Sequence, residues 1–200
     1  YMRYRNQLVL TGEINDVGAY TRTNIPESYR MGLEVQGRYP FNAWLTLSGN
    51  LSLSANRVLN FTEFIDDYDQ GNQKRVNYAK TDIAYSPALT GQYHLLFTPV
   101  KKLMVDLSGR YVGLQYLDNT SNRSRSLQPF FVKDLQVNYT LSLKHFKEIQ
   151  LLLRVQNLLN RRYEPNGYTF SYLYGGVQTT ENYYFPMAGT NFLSGLTIKL

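Results

Sequence analysis

Few side chains in this sequence could do covalent chemistry, and their spacing limits what they can do. His94 and His145 are the only histidines, so general-base catalysis has two imidazoles to draw on. His145 falls in a short turn, and His94 sits alone among polar residues of an alternating run. Neither has a nucleophile and an orienting group spaced around it, so no hydrolase reading survives. Cysteine is absent, which removes disulfides and thiolate metal sites. The stretch FIDDYDQGNQKR invites a calcium reading through Asp66, Asp67, Asp69 and Gly71. An EF-hand-like loop wants carboxylates one, three and five positions before its glycine, yet Gly71 puts Asp66, Tyr68 and Gln70 on those positions, and the match fails. The expectation is a solvated acidic loop. No cofactor or metal site is assigned. The remaining chemistry is aromatic: Tyr168, Phe170, Tyr172, Tyr174, Tyr183, Tyr184 and Phe185 crowd one segment near the end of the chain. Such rings offer broad contact at low entropy cost to a planar or hydrophobic ligand. Alternatively, Tyr183, Tyr184 and Phe185 belong to an interfacial aromatic girdle and the rest cover one another.

The elements that would carry these residues are strands. Leu45, Leu47, Gly49, Leu51, Leu53 and Ala55 alternate with Thr46, Ser48, Asn50, Ser52 and Ser54. Side chains of a strand point alternately to its two faces, so this run is apolar on one side and polar on the other. Its length of about eleven residues matches the ~9–11 that a tilted strand needs to cross a bilayer. Similar alternation marks residues 1–10 loosely, and 30–39, 89–98, 103–111, 135–143 and 151–156 clearly. The closing run, Phe192, Ser194, Leu196, Ile198 and Leu200 against Leu193, Gly195, Thr197 and Lys199, ends the chain on an apolar residue.

Eight strands result, and no helix or internal domain boundary. Connections at 40–42, 99–101 and 144–148 are short; those at 12–28, 57–82, 117–127 and 166–187 are long and polar or ring-rich. Short turns on one side and long loops on the other are the pattern of outer-membrane barrels. Eighteen Tyr and ten Phe against one Trp fit aromatic girdles at two interfaces. No run approaches the ~18 consecutive apolar residues of a membrane helix. Net charge is +6 without a Lys/Arg-rich run, and no nucleic-acid partner is expected.

In a barrel the apolar parity meets lipid and the polar parity the lumen, because unsatisfied polar groups are costly in hydrocarbon. That puts Arg30, Glu34, Gln36, Arg38, Asp106, Arg110, Asp134, Gln136 and Arg154 in the lumen, with Arg3 and Arg5 expected beside them. The expected fold is therefore all-β, an antiparallel transmembrane β-barrel.

Several segments resemble TonB-dependent outer-membrane receptors. Residues 156–164, QNLLNRRYE, are similar to that family's N-L-[FL]-[ND]-x-x-Y segment. Residues 184–192, YFPMAGTNF, resemble its P-x-x-G-R-x-[FL] ending, with Thr190 in place of the usual Arg. Residues 28–34, SYRMGLE, and 111–119, YVGLQYLDN, add to the likeness, which extends over essentially the whole chain. The resemblance implies a 22-stranded barrel with a plug, importing a scarce nutrient of the iron-chelate, haem or cobalamin class with energy delivered through TonB. Residues 1–200 would be the last eight strands of that barrel, without plug, located in the bacterial outer membrane. Partners would be outer-membrane lipid, the remainder of the barrel and plug, TonB through the plug, and a small nutrient. The first and last strands would then not pair with each other. The alternative is a self-contained eight-stranded barrel serving as anchor or adhesin.

Overall fold

The computed structural model describes residues 1–143 and 146–199; His145 and Leu200, invoked above, lie outside the described residues. The strands are β1 (Met2–Ile14), β2 (Tyr20–Asn42), β3 (Leu45–Asp67), β4 (Asn72–Asp82), β5 (Leu89–Val100), β6 (Leu103–Val112), β7 (Gln115–Tyr116), β8 (Ser126–Leu127), β9 (Phe130–Leu143), β10 (Phe146–Gln156), β11 (Asn166–Tyr174), β12 (Val177–Phe185) and β13 (Asn191–Lys199). One sheet runs in the order β1-β2-β3-β5-β6-β9-β10-β13, every neighbouring pair antiparallel. These are the eight strands that the alternation predicts. β1 and β13 are the two ends of the path, and among the described residues no register joins them.

The register turns the alternation into rows. Tyr39, Leu47, Leu95, Leu107, Leu135, Val155 and Phe192 face one another across seven strands. On the opposite side lies a polar row of Arg38, Ser48, His94, Ser108 and Asp134. A one-residue slip in any pair would mix these rows, so the register is strongly specified. Several apolar side chains on the first face are more than half exposed, Leu33 at 62%, Val35 at 56% and Leu196 at 62%, and many of the rest are partly exposed. So broad an uncovered apolar surface marks an interaction face.

Three expected loops prove to be strands. Residues 57–82 fold as the upper half of β3 paired with β4, so that β3 serves β5 with its lower half and β4 with its upper. Residues 12–28 continue β1 and β2, and 166–185 form the hairpin of β11 and β12. β2 and β3 have 23 residues each, roughly 75 Å of extended chain, more than twice what a bilayer span requires. Polar sequence thus continues the ladder outside the apolar zone. The segment between β6 and β9 is no free loop either: Leu117, Asn119 and Leu127 are buried, and Asn119 accepts from the Ala84 N–H and donates to the Leu10 carbonyl.

The two-residue period breaks where the strands leave the apolar zone. Asn6 and Asn60 adopt positive φ, a conformation that asparagine tolerates better than most residues. Around them residues three apart are buried together, Ile25 with Ser28 and Val58 with Phe61, where strict alternation would turn one of each pair outward. Beyond this bend Val9, Ile25, Val58, Phe61 and Ile83 pack into a core.

One expected orientation is overturned. Arg3 pairs with Tyr29 and Arg5 with Glu27, on the side of Met31 and Leu33, so both arginines point to the outer face and not to the lumen side. Arg3 forms an ion pair there with Glu27. The run 1–10 alternates loosely, and charge alone is a poor guide to side at the rim of an apolar zone, where Arg and Lys heads reach polar surroundings.

Candidate functional site

The ring-rich segment forms a hairpin because Gly175 and Gly176, at φ +60° and +75°, supply the two positive-φ positions of a tight two-residue turn. Its register sets Tyr168 opposite Tyr183. The two rings stack at 4.9 Å with an interplanar angle of 10°. Phe170 stacks on Tyr183 at 6.0 Å, Phe185 lies 6.0 Å from Tyr168, Tyr172 lies 6.1 Å from Phe170, and Tyr68 of β3 lies 5.9 Å from Tyr172. Six rings thus make one continuous ladder. Tyr172 and Tyr183 both donate to the Glu181 carboxylate; those bonds hold the carboxyl below its usual range and raise both phenols.

Of the residues singled out in the sequence, Tyr168, Phe170, Tyr172, Tyr183 and Phe185 share this face. Tyr174 stands at the tip of the hairpin, 70% exposed and outside the stack. Tyr184 is on the opposite face, its hydroxyl aimed at the Ser126 carbonyl at 3.4 Å. Strand parity separates it from its neighbours Tyr183 and Phe185. That opposite face is the seat of the hairpin. Thr169 and Ser171 are buried, and the Gly167 carbonyl accepts from Tyr20 and Tyr85 at 2.8 and 2.6 Å. Burial and the neighbouring Tyr20 push the Tyr85 phenol far up, so it stays protonated and donating.

The tip of the hairpin is held as well. Tyr172 and Leu173 pair in parallel with Asp66 and Asp67, and the Tyr68 N–H donates to the Leu173 carbonyl at 3.0 Å. Asp69 accepts from the Gly175 and Gly176 N–H groups. The acids of the failed calcium motif are therefore occupied locally: Asp66 by Gln73, Asp67 by the N–H groups of Asp69 and Gln70, and Asp69 by the clasp.

Beneath the hairpin lies a cavity of about 240 Å³, walled by β1, β2, β3, β4, β11 and the segment carrying Arg125. Arg125 is 4% exposed and pairs with Glu63 and with Asp118, at 2.8 Å for the latter. Burial works against its charge, but the bonds to Asp118 and Glu63 outweigh it and raise the guanidinium above its ordinary value. Tyr78 donates to Glu63 at 2.8 Å, and its phenol is pushed up to about 12 by burial and that bond. Sequence reasoning passed over Arg125, Glu63 and Asp118 because Glu63 lies some sixty residues from Arg125 and only the folded chain brings it to the Arg125–Asp118 pair.

On the polar face of the sheet, His94 is not the isolated residue that the sequence suggests. Its Nδ1 lies 2.9 Å from Asp106 and its Nε2 2.7 Å from the Gln92 amide. With Gln92 against Nε2, no hydroxyl nucleophile is within hydrogen-bonding distance of the ring among the described residues, and the dyad reads as polar pairing across two strands.

Comparison with known proteins places this architecture. The family described as TonB dependent receptor-like, beta-barrel, matches residues 1–158. The chain belongs to the TonB-dependent receptor family. Among solved structures, the siderophore receptor PiuA from Acinetobacter baumannii superposes with a TM-score of 0.64 at 16% identity, over 97% of this chain and 24% of its own. The ferric-catecholate import receptor Fiu from E. coli K12 gives 0.59 at 15% identity, over 96% and 23%. The copper transporter OprC gives 0.61 at 15% identity, over 97% and 27%. No curated protein sequence matches. This TonB-dependent receptor chain therefore spans about a quarter of the length of the solved structures it resembles.

Its two receptor-like motifs, 156–164 and 184–192, meet in space. Asn157, at φ +53°, donates from its side chain to the Arg161 and Ala188 carbonyls and accepts the Arg161 N–H. Asn160, at φ +49°, accepts the Thr190 N–H at 3.1 Å. A Cβ on Gly189 would come 2.5 Å from the Asn160 side-chain oxygen, so a larger residue there would push the Asn160 amide away from its bond to Thr190. The two motifs form a single knot that delivers the chain from β10 into β13.

Proposed function

We propose that this chain forms the closing wall of an outer-membrane TonB-dependent receptor and that its long hairpins capture a scarce nutrient on the extracellular side. The observation that carries the reading is the continuous apolar row from Tyr39 to Phe192 backed by the polar row from Arg38 to Asp134, the two-faced pattern of a strand wall between lipid and a polar lumen. Membership of a family of transport receptors supports import and not catalysis.

On this reading the short turns face the periplasm and the hairpins β1–β2, β3–β4 and β11–β12 rise on the outside. The six-ring ladder supplies a stacking surface for a planar or hydrophobic nutrient, of the iron-chelate, haem or cobalamin class. Among the described residues β1 and β13 have no pairing on their outer edges, which hydrocarbon cannot satisfy, and the arrangement proposed is a 22-stranded barrel with a plug contacting TonB, in which other strands cover both edges. The test is uptake by cells carrying the complete receptor, with ferric siderophores, haem and cobalamin offered singly. Replacing Tyr183, the ring held between Tyr168 and Phe170, with alanine is expected to weaken capture of the transported nutrient about five- to tenfold, a loss toward the upper end of the ~0.5–1.5 kcal/mol that aromatic pairs contribute. Tyr184→Ala, on the other face, is expected to leave capture within about threefold of wild type. Equal effects of the two substitutions would remove the ladder from the binding site.

A further inference from the structure

The outer face of the sheet changes character where β1, β2, β3 and β4 leave the apolar zone. Along β2 it is apolar as far as Met31, Leu33 and Val35, all three exposed. Above them the register lines up two charged rows across the four strands. Arg3, Tyr29, Arg57 and Asp82 form the first row, and Arg5, Glu27, Leu59 and Lys80 the second. Four cations and two carboxylates therefore share one patch. Both carboxylates are taken: Glu27 pairs with Arg3, and Asp82 pairs with Arg57 and accepts from the Ser121 hydroxyl. Arg5 and Lys80 are exposed and have no carboxylate partner among the described residues. At the other end of β2 and β3 the same face carries Tyr39, Phe41, Leu45 and Leu47, with no cation.

A second observation concerns where the free charge goes. Lys80 stands on β4, yet its Nζ lies 5.6 Å from the centre of the Tyr29 ring on β2. The side chain therefore reaches back across β3 to a ring whose cross-strand partners are Arg3 and Arg57. Three cations gather round Tyr29, and Arg5 stands diagonal to it on β1. Like charges held this close repel one another unless an anion joins them. The Tyr1 ring lies 5.9 Å from Tyr29, and such amphipathic rings at the border of an apolar zone mark the headgroup level of a bilayer.

An occupant that suits this seam is anionic toward Arg5 and Lys80 and apolar toward the side chains directly below. A soluble phosphate meets only the first demand, and a lipid without net charge leaves the two cations uncompensated. A guanidinium offers paired N–H donors to phosphate oxygens, and an ammonium adds a point charge. We propose that the seam binds the net-negative phosphate headgroup of a membrane lipid in the leaflet at the hairpin end. Arg5 and Lys80 hold the phosphate, and Met31, Leu33 and Val35 receive the acyl chains. Arg3 and Arg57, by keeping Glu27 and Asp82 paired, remove the carboxylates that would repel it.

This inference rests on the reading that the apolar face meets lipid. Its test is native mass spectrometry of the complete receptor taken from bilayers of equal parts phosphatidylglycerol and phosphatidylcholine, two phosphodiesters that differ in net charge. The wild type is expected to retain phosphatidylglycerol at least about tenfold over phosphatidylcholine. Arg5→Gln and Lys80→Gln should each lower that preference about fivefold, the share of one basic residue at a bilayer surface, and the double variant should bring it to about parity. Arg38→Gln, the same loss of charge on the polar face, should leave it within about twofold. Equal retention of the two lipids by the wild type, an undiminished preference in the double variant, or a loss in Arg38→Gln as large as in Arg5→Gln would each overturn the proposal. Displacement of phosphatidylglycerol by inorganic phosphate would overturn it too, by making the seam a site for free anions. Folded gel mobility and nutrient uptake of the same variants keep the two readings apart: a receptor that assembles and imports yet shows no lipid preference loses only the headgroup site.

Discussion

Asp69 and Gly175 lie 106 residues apart in the chain, and the carboxylate of the first accepts the backbone N–H of the second at 2.8 Å. The other carboxylate oxygen takes the next N–H, that of Gly176, at the same distance. Both glycines have positive φ, so the turn presents two successive N–H groups on one side, a small anion-binding concavity. The clasp ties the tip of one hairpin to the tip of another above the cavity. Asp69→Ala is expected to release the tip while leaving the barrel intact. Exposed bonds of this kind contribute about 0.5–1.5 kcal/mol each, so amide exchange across 173–177 should accelerate several-fold to tenfold or more, with unchanged heat-modified mobility on gels. Unchanged exchange would mean that the ladder contacts alone hold the tip.

Glu13 supplies a pH dependence of known sign. Burial first, then Asp66, Glu63 and Asp118, raise its carboxyl above the ordinary value of 4.5. Between that value and the raised one the folded state holds more protons than the unfolded state, so stability falls as pH rises through the window. At neutral pH the ionised carboxylate is destabilising. Glu13→Gln should therefore raise the thermal midpoint at pH 7, by a few degrees or less on the order set by domain size, and the gain should vanish near pH 4. A midpoint lowered at pH 7 would show that Glu13 has a stabilising partner.

The two faces of the sheet predict opposite responses to one charge. Leu51 pairs with Val35 on the apolar face, and its neighbour Asn50 pairs with Gln36 and Gln92 on the polar face. Leu51→Arg should cost about 2–4 kcal/mol and impair membrane assembly, whereas Asn50→Arg should be tolerated. Folded yield from heat-modified mobility separates the two, and equal tolerance would overturn the face assignment.

The eight principal strands, and the faces of all but β1, were legible because period-2 alternation is a local signal that depends on no distant contact. What lay beyond the apolar zone was not. There Asn6 and Asn60 shift the period, so Ile25 and Ser28 are buried together and strict alternation misleads. Polar composition made β4 read as a loop, and the crowd of rings over 166–187 did the same for β11–β12, although a ladder outside lipid needs no apolar face. Tyr184 was grouped with Tyr183 because the rings are adjacent in sequence, and only the strand assignment puts them on opposite sides. The Arg125 site joins β3 to a segment some sixty residues later, and no local pattern announces such a pairing.

The knot at Asn157 offers the most discriminating substitution series. Asn157 is 4% exposed and has positive φ, and both facts constrain what can replace it. Its amide group makes three bonds, to the Arg161 and Ala188 carbonyls and from the Arg161 N–H, while its own N–H donates to Asp134 and its carbonyl accepts from Thr190. Alanine loses the three side-chain bonds and also resists the left-handed backbone, for a combined cost of about 2–4 kcal/mol. Glycine loses the same bonds but accepts the backbone freely, so Asn157→Gly should be milder by about 1 kcal/mol. Asp at this position keeps the acceptor and the backbone preference but offers no donor to Arg161 and Ala188, and brings a charge close to two carbonyls. The expected order of stability is therefore wild type, then glycine, then alanine, read from the temperature at which the complete receptor loses its folded gel mobility. Asn157→Asp should rank below glycine, because an unpaired buried charge costs more than an absent side chain. If glycine matched the wild type, the side-chain bonds would contribute nothing and backbone conformation alone would explain the asparagine.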